Sequence, residues 1–204
     1  MDKKEFYVKE SLKLFMKYGV KSVTVGQITA KLNISSKTLY VIFGDKTGLV
    51  ETCFDLYKQH SNKEFEALRA DSENVADMLV RFYNMLMESI SRINPNFFND
   101  IASYFPKIWD SDEAFGINQT RSLMVQGVSE GIFSKAIDIE LCAETLTLLL
   151  RSMFEKDPYD SRHGGSQRLL ANVLWPYVRG LCTQEGMEEF RKYRKLSAQS
   201  QENG

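Results

Sequence analysis

The chain has 204 residues, of which 43% are hydrophobic and 26% charged, a composition typical of a globular protein and atypical of a disordered chain. No stretch approaches the ~20 apolar residues of a membrane span, and the first residues lead into a charged helix, so we expect a cytoplasmic protein without a signal peptide. Up to Lys63 there are eleven lysines and six acidic residues, which gives +5, and the remainder carries −6. This asymmetry favours an anionic partner at one end only.

The N-terminal 43 residues have the pattern of three short helices. Residues 3–18 carry an apolar stripe of Val8, Leu12 and Phe15, and Gly19 ends this helix. Thr24 is a suitable N-cap for a second helix, residues 25–32, whose apolar positions are spaced for one face. Asn33 tolerates the left-handed backbone that ends a helix, so a tight turn is expected there.

The residue pattern of a third helix predicts a surface that can contact phosphates. Ser35 or Ser36 caps it, and Leu39, Ile42 and Phe43 form its apolar side. The opposite side presents small polar groups, one cation and one phenol, without a carboxylate; these are Ser36, Lys37, Thr38 and Tyr40. Such a face suits a phosphate-lined groove and is unsuited to acid–base catalysis. The pair of helices is a helix-turn-helix, whose second helix normally lies in the DNA major groove.

A longer helix is predicted to follow. Asp45 caps it, and it runs to about Leu68. Because a helix N-terminus binds phosphate readily, Lys46 is a candidate phosphate contact. We predict a helix-turn-helix DNA-binding domain at residues 1–46 and a second, helical domain at residues 47–204, connected by the helix 47–68.

The rest of the chain is predicted to be helical as well. Apolar residues recur at helical spacing and no segment alternates strictly, so the fold class is all-α. Further helices are expected at about 75–90, from Pro95 to Trp109 with a kink at Pro106, at 111–130, 139–155 and 166–183, with a break at 156–165. A short polar helix follows Gln184, and a polar tail begins after about Leu196.

The N-terminal quarter resembles the signature of TetR-family transcriptional regulators. The resemblance rests on Gly19, Thr24, Ile28, the run Ser35-Ser36-Lys37-Thr38-Leu39-Tyr40, Phe43, Lys46 and Leu49. It implies a sequence-specific DNA-binding regulator, most often a repressor. The implied DNA-binding residues are Thr24, Ser35, Ser36, Lys37, Thr38, Tyr40 and Lys46. Lys37, Ile42 and Gly26 depart from the family pattern.

The resemblance also implies that residues 47–204 form a regulatory and dimerisation domain, of which two properties are expected. A two-fold partner would place two reading helices about 34–36 Å apart on a palindromic operator in double-stranded DNA, and the last two long helices are candidates for that homodimer interface. Its candidate residues are Leu146, Leu149, Met153, Leu170, Val173, Leu174, Tyr177 and Val178. The resemblance also implies a small apolar or aromatic ligand that releases the operator. Its candidate pocket residues are Met85, Phe98, Phe105, Trp109, Met124 and Phe133, although such residues more often form plain core.

Other functions have less support. No nucleophile motif, phosphate loop or metal-ligand spacing is present, so we expect neither an enzyme nor a cofactor or metal. Cys53, Cys142 and Cys182 are expected to be small buried hydrophobes. Two alternatives stay open: a DNA-binding regulator that lacks a small-molecule inducer, and an all-α carrier or enzyme.

Overall fold

The computed structural model describes residues 2–110, 113–153 and 165–202, which are mainly helical and contain no β-strand. The predicted all-α class is confirmed. In chain order the elements are α1 (Lys3–Tyr18), α2 (Val25–Leu32), α3 (Ser36–Phe43), α4 (Lys46–Asp71), α5 (Val75–Arg92), α6 (Asn96–Tyr104), α7 (Pro106–Asp110), α8 (Glu113–Ser129), α9 (Ile139–Ser152), α10 (Gly165–Leu169), a π-helical segment (Leu170–Leu174), α11 (Trp175–Gly180) and α12 (Gln184–Glu202). None of the described helices is long and apolar enough to cross a membrane.

The chain forms two compact units that do not follow its order. The first comprises the described residues of 1–64 and 91–111, and the second those of 65–90 and 112–204. Helices α6 and α7 therefore group with the three N-terminal helices, and the predicted division after residue 46 falls inside the first unit.

The first unit is held by apolar faces that the sequence pattern predicts. Val8, Leu12 and Phe15 of α1 are buried. Ile28 and Leu32 of α2 are buried, as are Leu39 and Phe43 of α3, Leu49, Val50, Cys53 and Phe54 of α4, and Phe97, Phe98 and Ile101 of α6. Because burying one such side chain contributes about 1.5–3 kcal/mol, this core decides which face of each short helix points outward.

The second unit packs its longer helices around one continuous core. Its centre is formed by Val75, Met78, Leu123, Met124, Phe133, Leu146, Leu170, Trp175 and Phe190. Polar contacts fix the helix ends: a Glu130 carboxylate oxygen accepts a hydrogen bond from the Val75 amide at 2.8 Å. It thereby caps the N-terminus of α5, where unpaired N–H groups favour a negative charge.

The C-terminal helices differ from the prediction. The helix expected at 166–183 has a π-helical segment at Leu170–Leu174 and ends at Gly180. Pro176 provides a physical reason, because it lacks the N–H that an α-helix needs and its ring crowds the carbonyl four residues earlier. The predicted short helix with a tail after Leu196 is wrong: α12 runs for 19 residues. Phe190 and Tyr193 are buried along it, and this packing stabilises a helix whose remaining residues are mostly polar.

The predicted break at 156–165 lies outside the described residues except for residue 165, which begins α10. The predicted helix ends at Ser111 and Glu155 also lie outside them.

Two helical glycines, Gly48 and Gly26, differ in the space around their Cα atoms and so give a matched test of packing in the first unit. An ideal Cβ at Gly48 would lie 2.2 Å from the Phe43 carbonyl oxygen, whereas one at Gly26 would have only the Thr24 Oγ1 nearby, at 3.9 Å. We expect Gly48→Ala to lower the free energy of unfolding by about 1–3 kcal/mol, because backbone must shift. Gly26→Ala should raise it by about 0.5–1 kcal/mol, because alanine loses less entropy in a helix. Urea unfolding measures both, and equal effects of the two substitutions would contradict the packing described for Gly48.

Candidate nucleic-acid interface

The α2–turn–α3 hairpin is built from side-chain caps. The Thr24 hydroxyl accepts a hydrogen bond from the Gln27 amide at 3.2 Å, and the Gln27 side chain accepts one from the Thr24 amide at 2.8 Å. Asn33 adopts the left-handed conformation, with φ 53° and ψ 47°. The Ser35 hydroxyl accepts a hydrogen bond from the Thr38 amide at 3.0 Å. These contacts confirm the predicted caps at Thr24 and Ser35 and the predicted turn at Asn33, and they fix the direction in which α3 leaves the turn.

Helix α3 turns one apolar side inward and one mixed side outward. Leu39 and Phe43 are buried. Ser36, Lys37, Thr38, Tyr40 and Val41 are exposed. At about 100° per residue, Lys37 and Val41 lie nearest the middle of the outward side, with Thr38 and Tyr40 flanking them. The outward face therefore combines a cation, a phenol, hydroxyls and one apolar group.

Three of the predicted DNA contacts also stabilise the hairpin. Thr24 and Ser35 are N-caps, and the hydroxyls of Ser35 and Thr38 lie 2.9 Å apart. All three residues are exposed, so their hydroxyls are at the surface while they hold the helix ends. Lys37 and Tyr40 have no such capping role, and the Tyr40 side chain is 48% exposed.

Lys46 is placed differently from the other predicted contacts. It is half-buried, and its Nζ donates a hydrogen bond to the Val20 carbonyl oxygen at 2.7 Å. Burial lowers the pKa of Lys46, an effect partly opposed by the nearby Asp100 carboxylate. At the same helix end, the Asp45 carboxylate accepts a hydrogen bond from the Gly48 amide at 2.9 Å, as the predicted cap requires. The ammonium of Lys46 thus bonds the turn after α1.

Residues of α6 complete this turn, and the sequence analysis did not anticipate them. Asp100 is only 7% exposed, and its carboxylate accepts a hydrogen bond from the Lys21 amide at 2.7 Å. The Lys21 ammonium donates to the Tyr104 hydroxyl at 2.5 Å, and this contact raises the pKa of Lys21. The Asn94 amide, just before α6, donates to the Met16 carbonyl oxygen at 2.8 Å. The sequence signal was Asp100 itself, a carboxylate beside Phe97 and Ile101 on an otherwise apolar stripe.

The predicted pocket residues are divided between the two units. Phe98, Phe105 and Trp109 belong to the first, and Met85, Met124 and Phe133 to the second. In the first unit the rings of Phe54, Tyr57, Phe97, Phe98 and Trp109 form an aromatic cluster. In the second unit Met124 and Phe133 are buried in the core and Met85 is half-buried.

The predicted interface residues are mostly interior to the second unit. Leu146, Met153, Leu170, Leu174 and Val178 are buried, Leu149 and Tyr177 are half-buried, and Val173 is exposed. Large apolar side chains elsewhere on α9 are more exposed: Leu141 is 60% and Leu148 is 65% exposed. These two leucines lie seven residues apart, on one side of the helix.

Within the described ranges, no group of three or more His, Cys, Asp or Glu residues is placed to hold a metal ion. Cys53 is buried, and Cys142 and Cys182 are half-buried. Burial raises the pKa of the Cys53 thiol to about 12 and that of Cys182 to about 11. Because the thiolate is the reactive form, both thiols are poor nucleophiles at neutral pH.

The hairpin and its neighbours match a known sequence pattern. The pattern described as "Bacterial regulatory proteins, tetR family" covers residues 8–53, which include α1, α2, α3 and the start of α4. Over these residues the chain is similar to the TetR family. The resemblance predicted from the sequence is confirmed for this part of the chain.

Solved structures with the same fold extend the likeness beyond the TetR N-terminal pattern. A TetR-family transcriptional regulator from Agrobacterium tumefaciens is 12% identical, with a TM-score of 0.70 over 89% of this chain and 98% of its own. The reduced form of NemR from E. coli is also 12% identical, with a TM-score of 0.72 over 90% and 98%. A ketosteroid transcriptional regulator of Mycobacterium tuberculosis is 17% identical, with a TM-score of 0.56 over 90% and 96%. At these identities the likeness shows the fold. No curated protein sequence matches the chain.

The Asp100 contact can be tested by stability. Asp100→Ala removes the acceptor of a part-buried hydrogen bond, so we expect the free energy of unfolding to fall by about 1–3 kcal/mol. Asp55→Ala is the matched control: its carboxylate is 61% exposed and pairs with Lys58 at 3.3 Å on the helix surface, which is worth at most about 1 kcal/mol. Urea unfolding compares the variants. A change at Asp100 no larger than that at Asp55 would show that the α6 contact is dispensable.

Proposed function

We propose that the protein is a homodimeric repressor that binds a palindromic operator through α3 and leaves it when a small apolar or aromatic molecule binds. The observation that carries the proposal is the outward face of α3. It offers Lys37, Tyr40 and surface hydroxyls, without a carboxylate, on a helix held by the caps that a helix-turn-helix needs. Such a face can follow phosphates and base edges in a major groove.

Charge supports the same surface. The residues up to Lys63 carry +5, while the rest of the chain carries −6. A positive unit releases counterions from DNA when it binds, so operator affinity should fall steeply as salt rises. The negative remainder repels the same duplex, which favours an approach through the helix-turn-helix.

Lys37 tests this proposal most directly. An operator is first selected from random duplex DNA with the full-length protein. We expect Lys37→Met to weaken binding at least tenfold and to make the log–log salt dependence shallower by about one for each copy in the dimer. The measurement is a fluorescence-anisotropy titration at several salt concentrations.

Lys63→Met is the control for Lys37→Met, because it removes the same charge from an exposed lysine on α4, outside the helix-turn-helix. Its affinity and salt slope should equal those of the wild type. Equal losses in both variants would assign the effect to net charge alone. If neither the wild type nor the variants bound any duplex, the proposed function would be refuted.

Homodimerisation is proposed through α9 and the α10–α11 region, as the sequence suggests, with Leu141 and Leu148 added to the exposed and half-buried members of the predicted set. Leu141, Leu148 and Val173 are exposed apolar side chains in these elements, whereas the buried members of the predicted set have little area left to cover. A stable interface buries about 800 Å² on each partner, so neighbouring half-buried groups such as Leu149 and Tyr177 would have to contribute.

Leu148→Glu is expected to convert the dimer to monomer, because it places a charge at the centre of an apolar contact. Sedimentation velocity at micromolar concentration measures the change. Leu196→Glu on α12 alters a leucine that is 50% exposed and should leave the dimer intact. A monomeric wild type, or a Leu148→Glu protein that sediments as a dimer, would contradict the proposed interface.

The ligand part of the proposal rests on the aromatic cluster of the first unit. Tyr57 and Trp109 are half-buried members of it, and aromatic rings suit an apolar or aromatic guest. The ketosteroid transcriptional regulator of Mycobacterium tuberculosis is a structural neighbour, and its name refers to a largely apolar molecule. A regulator without an inducer is the alternative, and a densely filled cluster with no affinity for apolar compounds would favour it.

A further inference from the structure

One residue on the outward face of α3 is not explained by phosphate binding. Val41 is 78% exposed, which makes it the most exposed large hydrophobic side chain in the described part of the chain. Its neighbours on that face are Lys37, four residues earlier, and Thr38, three residues earlier. Valine has no polar atom beyond its backbone, so its side chain cannot bind a phosphate oxygen.

Folding gives no reason for a valine here. A side chain that stays this exposed gains almost nothing from burial. Valine is also a poorer helix former than alanine, lysine or glutamine, because its branched Cβ is restricted in a helix. Single exposed apolar residues are common, but this one lies near the middle of the surface that the helix-turn-helix presents.

The chemistry of the major groove limits what Val41 can contact favourably. The base edges there carry acceptors and donors that would lose water without gaining a hydrogen bond from a valine. The C5-methyl group of thymine is the exception, because it is apolar and projects into the groove. Two methyl groups brought together there exclude water from both.

We propose that Val41 is a specificity-determining residue that reads a thymine methyl in each half-site of the operator. The inference rests on the proposed insertion of α3 into the major groove. Lys37, one helical turn earlier on the same face, supplies the charge contact beside it. Val41 thus gives sequence preference, while the lysine and the hydroxyls give affinity.

The test uses the full-length protein and a selected operator in which thymines are replaced, one position at a time, by deoxyuridine. This replacement removes one methyl and keeps base pairing. At one position in each half-site, wild-type affinity should fall about fourfold for each methyl lost, the effect of burying one such carbon group. Val41→Ala should bind the thymine operator more weakly than the wild type does, by a similar factor. The variant and the wild type should bind the deoxyuridine operator with equal affinity, because the two changes remove the same contact.

Two controls separate the possible outcomes. Val125→Ala removes the same atoms from an exposed valine on α8 and should leave DNA affinity unchanged. Urea unfolding should show Val41→Ala to be at least as stable as the wild type, since alanine is the better helix former.

The proposal is overturned if the selected operators contain no invariant thymine. It is also overturned if Val41→Ala weakens binding to thymine and deoxyuridine operators by the same factor. The proposed function fails separately, if no duplex is selected at all.

Discussion

The turn after α1 is the point on which the first unit depends. Its backbone leaves the helix at Gly19, where φ is 82°, so the carbonyl of Val20 and the amide of Lys21 have no helical partners. A lysine from the start of α4 bonds the first, and a carboxylate from α6 bonds the second. Because α2 and α3 lie between α1 and α4 in the chain, these two contacts fix both ends of the α2–turn–α3 hairpin. Part-buried polar groups of this kind are costly to leave unpaired, so the arrangement is well specified.

This geometry explains why the polar residues of the hairpin have different roles. Thr24, Ser35 and Asp45 accept hydrogen bonds from helix-end amides, and Lys46 bonds the turn. Lys37, Tyr40 and Val41 do none of this and lie on the outward face of α3. A rigid frame built from the first group presents the second in a fixed orientation, and recognition of a groove requires such preorganisation.

The parts of the fold that local rules control were predictable from the sequence. Helix α1 and the caps of α2 and α3 follow from Gly19, Thr24, Asn33 and Ser35, because capping is a contact between neighbours in the chain. The length of α12 was missed because Phe190 and Tyr193 are stabilised by distant partners, including Trp175 and Glu73. The grouping of α6 with the N-terminal helices was missed for the same reason, since Asp100 meets Lys21 across 79 positions. Periodicity identifies an apolar side of a helix but not the element that covers it, so it does not determine which apolar residues line a pocket or an interface.

The position of α6 and α7 also bears on how a ligand would act. The aromatic rings of Phe97, Phe98 and Trp109 lie in the same unit as Asp100 and the turn after α1. A molecule that weakened operator binding about a hundredfold would have to distinguish two states of the protein by about 2.7 kcal/mol. Loss of one or two part-buried hydrogen bonds is worth about 1–3 kcal/mol each. If α6 shifted so that Asp100 lost its hydrogen bond to Lys21, the two states of the protein would differ in free energy by about the required amount. No larger rearrangement of the α2–turn–α3 hairpin would be needed.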